Sequence, residues 1–274
     1  MTSIGWFPRA KFGPGTTVLF EKPTISAWSI REKQSQHNYQ REDWDLDPGP
    51  STAEATFHVQ QDYGPLAYMR VYMQVPDPST EFEPREVRRR QAALCPHREV
   101  DALKCFHQKH FTMTPALLGI KEELQGDDDV VPGGFIVYMV FQHVPGIRLA
   151  DDQGAPVRGC SIHTFFREFD REERDKVRDE FDKNYPRLAE LDLTLYSIWA
   201  DHLVWDPVSS KLWFVDFRKV TDAGWLKRIR SLRGLQNPHA GADQGPMHLT
   251  WQRWGLAIPP SDTADLDELE TWIL

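Results

Sequence analysis

An α+β fold is predicted by three observations. Hydrophobic residues make up 40% of the 274 and include ten tryptophans, enough for a sizeable core. Strand-like runs gather in the first half, at Thr56–Gln60, Leu66–Gln74 and Phe135–Phe141. In the second half a long, charged, amphipathic stretch leads into two short apolar runs around a Pro/Ser turn.

Taken in order, Thr16–Phe20 reads as a strand, whereas Arg31 to Ala55 is polar and carries Pro48-Gly49-Pro50, which predicts a loop. Leu66–Gln74 is bracketed by Gly64-Pro65 and Pro76, as a strand should be. Pro84 to His107 reads as helix, broken near Cys95-Pro96. Phe135–Phe141 is almost continuously apolar, the pattern of a strand buried on both faces. Phe166, Phe169, Val177, Phe181, Tyr185 and Leu188 recur as one apolar stripe of a helix over Phe165–Leu191, which Pro186 should kink or end. Leu203–Trp205 and Leu212–Val215 flank the turn Asp206–Lys211 and form a hairpin that ends on Asp216-Phe217. Beyond Val220 a helix is expected over Ala223–Leu235, a loop over Pro238–His248 and an acidic last helix from Asp262.

Charge excludes some functions. The balance is −9, from 32 basic and 41 acidic residues, which argues against general binding to a nucleic-acid backbone. Arg88-Arg89-Arg90 reads as a solvated helix face. Cys95, Cys105 and Cys160 have no metal-binding spacing and read as reduced thiols of a cytoplasmic protein. No apolar run approaches the ~18 residues of a membrane span, and the first twenty residues lack a signal-peptide pattern.

Several motifs carry a family resemblance. Leu203–Phe217 (LVWDPVSSKLWFVDF) is a hairpin that presents an Asp at its exit, Arg98–Leu103 reads REVDAL, Thr114–Gly119 reads TPALLG, and Phe141 is followed by Gln142-His143-Val144-Pro145-Gly146. In these motifs the chain resembles the protein-kinase and aminoglycoside/choline phosphotransferase superfamily, most of all the small kinase-like proteins of fungal genomes. The resemblance covers about residues 56–220. It implies a bilobal protein-kinase-like fold, with a small β-rich N-lobe and a short, mainly helical C-lobe. Residues 1–55 would then be an irregular extension packed on the N-lobe, 56–146 the N-lobe up to the hinge, and 147–274 the C-lobe with a degenerate catalytic loop. It also puts Arg70 where the family has a strand lysine, Glu99 as that residue's partner on the helix, and Gln142, His143 and Val144 at the hinge backbone that receives an adenine edge.

The chemistry of the loop decides what this implies for function. In the resembled family an Asp activates the acceptor hydroxyl, an Asn five residues on holds a metal, and the Asp at the strand exit holds the same metal cluster. Counting back from the hairpin puts Ser197 at the first of these, His202 at the second and Asp216 at the third, with Arg218 where a glycine is usual. Serine is no base near neutral pH without an activator, and imidazole is a poor magnesium ligand. No G-x-G-x-x-G loop occurs to cradle phosphates. Asp201, His202, Asp206 and Asp216 lie close enough in sequence to build a different acid/base or metal site. Structural roles, such as a satisfied histidine at 202 and a turn aspartate at 206, are the simpler reading. Ser197, His202 and Asp216 supply the residue types of a triad without its spacing pattern. His107 and His110 are a two-histidine pair without a third ligand nearby.

Two functions stay open. The first is a kinase-like pseudoenzyme, a scaffold with an interlobe pocket for a small molecule or a protein partner and with phosphoryl transfer lost. The second is a phosphotransferase, or another small-molecule enzyme, with relocated residues such as Asp201 as base and a metal on Asp216. No cofactor is assured; the missing motifs leave ATP·Mg binding absent or on the order of millimolar. Neither nucleic acid nor membrane is an expected partner.

Overall fold

The computed structural model describes residues 5–41, 49–94, 98–150, 164–191, 193–195, 200–218, 220–222, 250–252, 254–258 and 274. The chain is mixed α/β and divides into two compact units, residues 1–100 with 116–143 and residues 101–115 with 144–274. The division after residue 143 lies three positions before the expected boundary at 146, and the stretch 101–115 groups with the second unit rather than the first.

The first unit is built on one antiparallel sheet of β1 (Thr17–Phe20), β2 (Ser26–Tyr39), β3 (Thr52–Gln60), β4 (Leu66–Gln74), β5 (Leu117–Leu124) and β6 (Phe135–Gln142), in the spatial order β1-β2-β3-β4-β6-β5. Its outer strands approach each other through a bridge between Lys22 and Ile120, whose N–H donates to the Lys22 carbonyl at 2.8 Å. An edge satisfied in this way offers less unpaired backbone to other chains. Alternation along the strands sends Ile30, Ala53, Ala55, Phe57, Val59, Met69, Val71, Met73 and Val140 into one core. Trp6, Phe7 and Phe12 join it from the start of the chain, where Arg9–Phe12 forms the single turn α1 and Phe12 stacks on Phe57 at 6.1 Å.

The expected loop over 31–55 is corrected here, and with it the irregular extension over 1–55. Residues 26–39 form one fourteen-residue strand, and β3 starts at Thr52, four residues earlier than the apolar pattern suggests. Past Ile30 the side chains of β2 are mostly exposed, so no hydrophobic alternation marks them; backbone pairing with β3 holds them, with two register shifts. Residues 5–15 do pack on the sheet as expected of an extension.

Helix α2 (Arg85–Arg89) and helix α3 (Arg98–Gln108) lie on either side of the expected break near Cys95-Pro96. Within the basic run, Arg88 donates to the Val130 carbonyl and Arg89 pairs with Asp127 at 2.7 Å, which ties α2 to the acidic loop. Arg85 pairs with the same carboxylate, and these bonds hold Asp127 below its ordinary range. Gln125 closes the other side of that loop: its amide donates to the Gln74 and Phe135 carbonyls and its oxygen accepts from the Val131 N–H.

In the second unit, β7 (Ile147–Arg148), β9 (Leu203–Asp206) and β10 (Lys211–Phe214) form a sheet in the order β10-β9-β7, and β8 (Leu193–Leu195) pairs with β11 (Val220–Asp222). The hairpin is antiparallel, with Leu212 opposite Trp205, as expected. The long helix is two, α4 (Thr164–Glu168) and α5 (Arg171–Ala189). The break falls at Asp170, whose carboxylate accepts the Glu173 N–H at 2.8 Å and caps α5. Pro186 lies inside the last turn of α5, which ends three residues later. Phe181 on α5 meets Phe214 and Trp254, centroids 5.9 and 5.3 Å away, with all three rings buried. Among the described residues no helix is long and apolar enough to cross a membrane. The elements expected after residue 222, apart from 250–252 and 254–258, lie outside the described residues, as do Cys95 and Cys160. Cys105 is a free thiol.

Gly146 adopts φ +119°, and a Cβ there would stand 2.3 Å from the Trp205 carbonyl oxygen, closer than any side chain tolerates. Gly146→Ala is expected to destabilise the protein by more than about 2 kcal/mol, through backbone strain and overpacking. Thermal unfolding should show this as a loss of several degrees, whereas Gly5→Ala, with nothing within 4 Å of the new methyl, should leave the midpoint nearly unchanged.

Candidate functional site

In the first unit the sheet face opposite the core carries polar chemistry. Arg70 on β4 points to this face and is buried. An arginine cannot shed its proton there, so it needs a fixed partner. Glu99, in the first turn of α3 and only 3% exposed, supplies it: Arg70 Nη1 donates to Glu99 Oε1, and the pair expected from the sequence is present. Two residues sequence reasoning missed complete the knot. Thr56 on β3, directly opposite Arg70, accepts from Arg70 Nε at 3.2 Å, and the Tyr72 hydroxyl donates to Glu99 Oε2. Period-two alternation was the available signal for Tyr72, which lies two residues along β4 and so shares Arg70's face. Burial, with Glu99 adding to it, pushes the Tyr72 phenol well above its ordinary value, so it stays a donor. The Arg70 guanidinium also lies 5.3 Å from the Phe141 ring centroid.

Next to this knot sits a row of rings. His58, Tyr68 and Phe141 are directly opposed on β3, β4 and β6, and His143 follows just past β6. Tyr68 lies 5.0 Å from His58, 5.0 Å from His143 and 5.7 Å from Phe141, its plane 24° from that of His143. Gln142 turns its backbone N–H to the Ala116 carbonyl at 2.9 Å, so that donor is already engaged. Val144 belongs to the second unit, half-buried against Val204, Trp213 and Val215.

In the second unit the strand exit places Asp216 in a left-handed conformation, φ +61°, which aspartate tolerates better than most residues. Phe217 after it is buried, 4.6 Å from the Phe106 ring. Both Asp216 carboxylate oxygens accept from Arg218: Nε reaches Oδ1 at 2.6 Å and Nη2 reaches Oδ2. The basic partner is thus two residues away in sequence, at the position where a glycine was expected. That replacement, a cation beside a lone carboxylate, was the signal for it.

His202 and Asp201 lie in a single 3-10 turn (Ala200–His202) that leads into β9. His202 is 6% exposed, and its Nδ1 has no hydrogen-bond partner among the described residues. Its Nε2 is 3.9 Å from Asp201 Oδ1, itself buried and unpartnered there, while the Asp201 carbonyl accepts from Arg148 at 2.8 Å. The described residues thus bury this imidazole without supplying a hydrogen bond to its Nδ1. Burial lowers its proton affinity below the ordinary value; nearby Asp216 and Asp201 pull it back up, and Arg148 and Arg218 push it down again. Asp206 is a turn residue, accepting from the Val208 N–H and the Ser209 hydroxyl, which lower its pKa. Ser197 lies outside the described residues. Among those described, no group of three or more His, Cys, Asp or Glu is placed to hold a metal ion.

Comparison with known proteins adds little. No protein-family model and no curated protein matches the chain. Among solved structures it is similar to the Cydia pomonella granulovirus kinase PK-1, over 69% of this chain and 53% of that one, at 10% identity and a TM-score of 0.37. The chain spans about half the length of that viral kinase. A likeness this slight assigns neither fold nor activity.

Two outcomes follow from the buried charges. Glu99→Ala takes a buried carboxylate away from the buried Arg70 guanidinium, so unfolding in denaturant should show a loss of about 3–5 kcal/mol, and Glu99→Gln a smaller one; a loss near zero would contradict the burial of the pair. For His202 the folded protein binds a proton less readily than the unfolded chain, whose imidazole titrates near 6.5. Its contribution is therefore complete above that pH and is lost as the pH falls from 6.5 through the lowered folded value. His202→Asn should flatten the stability profile in that window.

Proposed function

We propose that this protein is a kinase-like scaffold that binds a small molecule or a protein partner and does not transfer phosphoryl groups. The kinase-like part of the reading is supported by the order of elements in the first unit: β4 with its basic residue, α3 with the paired glutamate, then β5 and β6. It is supported in the second unit by the hairpin that ends on Asp216.

The loss of transfer rests on one observation above all. Asp216, the one chemical residue of the resembled pattern still in place, is held on both oxygens by Arg218. A divalent cation would have to break a bidentate, charge-assisted pair to reach it. The other positions agree with this. Arg70 is locked to Glu99, and His202 is an imidazole where magnesium prefers oxygen.

A second reading retains catalysis, because among the described residues Asp201 Oδ1 and His202 Nδ1 have no hydrogen-bond partner, and Asp216 is near enough to act on His202. Isothermal titration with ATP and magnesium separates the two. The scaffold reading expects no heat, or affinity on the order of millimolar, and no product after prolonged incubation with generic acceptors. Micromolar, magnesium-dependent binding would overturn it. Arg218→Gly removes this guanidinium from Asp216 and should introduce a magnesium-dependent rise in the unfolding midpoint that the unaltered protein lacks.

A further inference from the structure

The row of rings beside Arg70 carries a more specific conclusion. We propose that Tyr68, in contact with both His58 and His143, fills the place that a planar base would take on this face of the sheet, so that Tyr68 and His143 exclude nucleosides from it. The proposal rests on the kinase-like reading for the position of a base, beside Gln142 and His143; the occlusion itself is a matter of ring geometry within the first unit.

Register sets the row. His58, Tyr68 and Phe141 are opposed across three neighbouring strands, and the parallel row Thr56, Arg70, Met139 lies two residues along on the same face. A base placed between the hinge residues and Arg70 must lie on Tyr68. To slip in as a third layer it needs about 7 Å between the flanking rings, two contacts of about 3.5 Å. The rings leave less: Tyr68 and His143 are 5.0 Å apart at 24°, and His58 and His143 are 6.2 Å apart with Tyr68 against both. His58 is held from the far side by Gln34, whose amide nitrogen is 3.1 Å from Nδ1. Hydrogen bonding at the hinge is reduced as well, since the Gln142 N–H is engaged by Ala116. A half-buried tyrosine thus takes the stacking surface that a base would use, and the ligand class that remains is one without a flat heteroaromatic ring.

Calorimetric titration of the full chain with adenosine, and separately with ATP with and without magnesium, tests this on three variants. Tyr68→Ala removes the filling ring, His143→Ala removes its exposed stacking partner, and Tyr68→Phe keeps the ring. The unaltered protein and Tyr68→Phe should take up no adenosine at millimolar concentration, and the two alanine variants should bind it at least tenfold more tightly. His143 is exposed, so its variant keeps the fold even where Tyr68→Ala does not. Folded alanine variants that gain no adenosine binding, or an unaltered protein that binds it as tightly as they do, would overturn the occlusion. Micromolar ATP·Mg binding by the unaltered protein strikes the scaffold reading; absence of binding there, with no gain in the variants, strikes the occlusion alone.

Discussion

A guanidinium that cannot lose its charge governs the first unit. Arg70 sits on β4, with β3 on one side and β6 on the other, where burial would drive a lysine to neutrality. Because arginine has no such escape, the chain must bring it a carboxylate, and it does so from 29 residues away on α3. Thr56 and Tyr72 each add a hydrogen bond to the pair. The sheet consequently has two unlike faces. One is apolar, filled by Trp6, Phe7 and Phe12; the other is ionic and aromatic and holds the start of α3 in one place.

The second unit solves a like problem locally. Asp216 turns through a left-handed conformation and is met by the guanidinium two positions on. In each unit the charge pair described is thus met from within that unit, Arg70 by Glu99 and Asp216 by Arg218. Among the described residues, His202 Nδ1 and Asp201 Oδ1 have no hydrogen-bond partner. The catalytic alternative proposed for this protein rests on these two atoms.

What could be read from the sequence follows from burial. Leu66–Gln74, Phe135–Gln142 and the hairpin show as apolar runs because both of their faces, or nearly so, leave water. The strand over 26–39 does not show, because beyond Ile30 its side chains stay in solvent and only its backbone is engaged with β3. A polar run with solvated side chains has the same composition whether its backbone is paired or free. The split between α4 and α5 was equally hidden, since the apolar stripe runs through Phe169 and only Asp170 marks a helix start.

By itself the sequence determined the mixed α/β class, the strands rich in β-branched and aromatic residues and the hairpin, since each depends on local pattern; the candidate pair Arg70–Glu99 came from the resemblance of its motifs. Tertiary structure alone decided which strand lies beside which, and hence that Thr56 and Tyr72 join that pair and that His58, Tyr68, Phe141 and His143 form one row. It also decided that Arg218 closes on Asp216, which requires the backbone at 216 to turn left-handed. The reason is physical: alternation tells which residues share the face of one strand, but contacts between strands depend on register, and register comes from pairing the whole sheet.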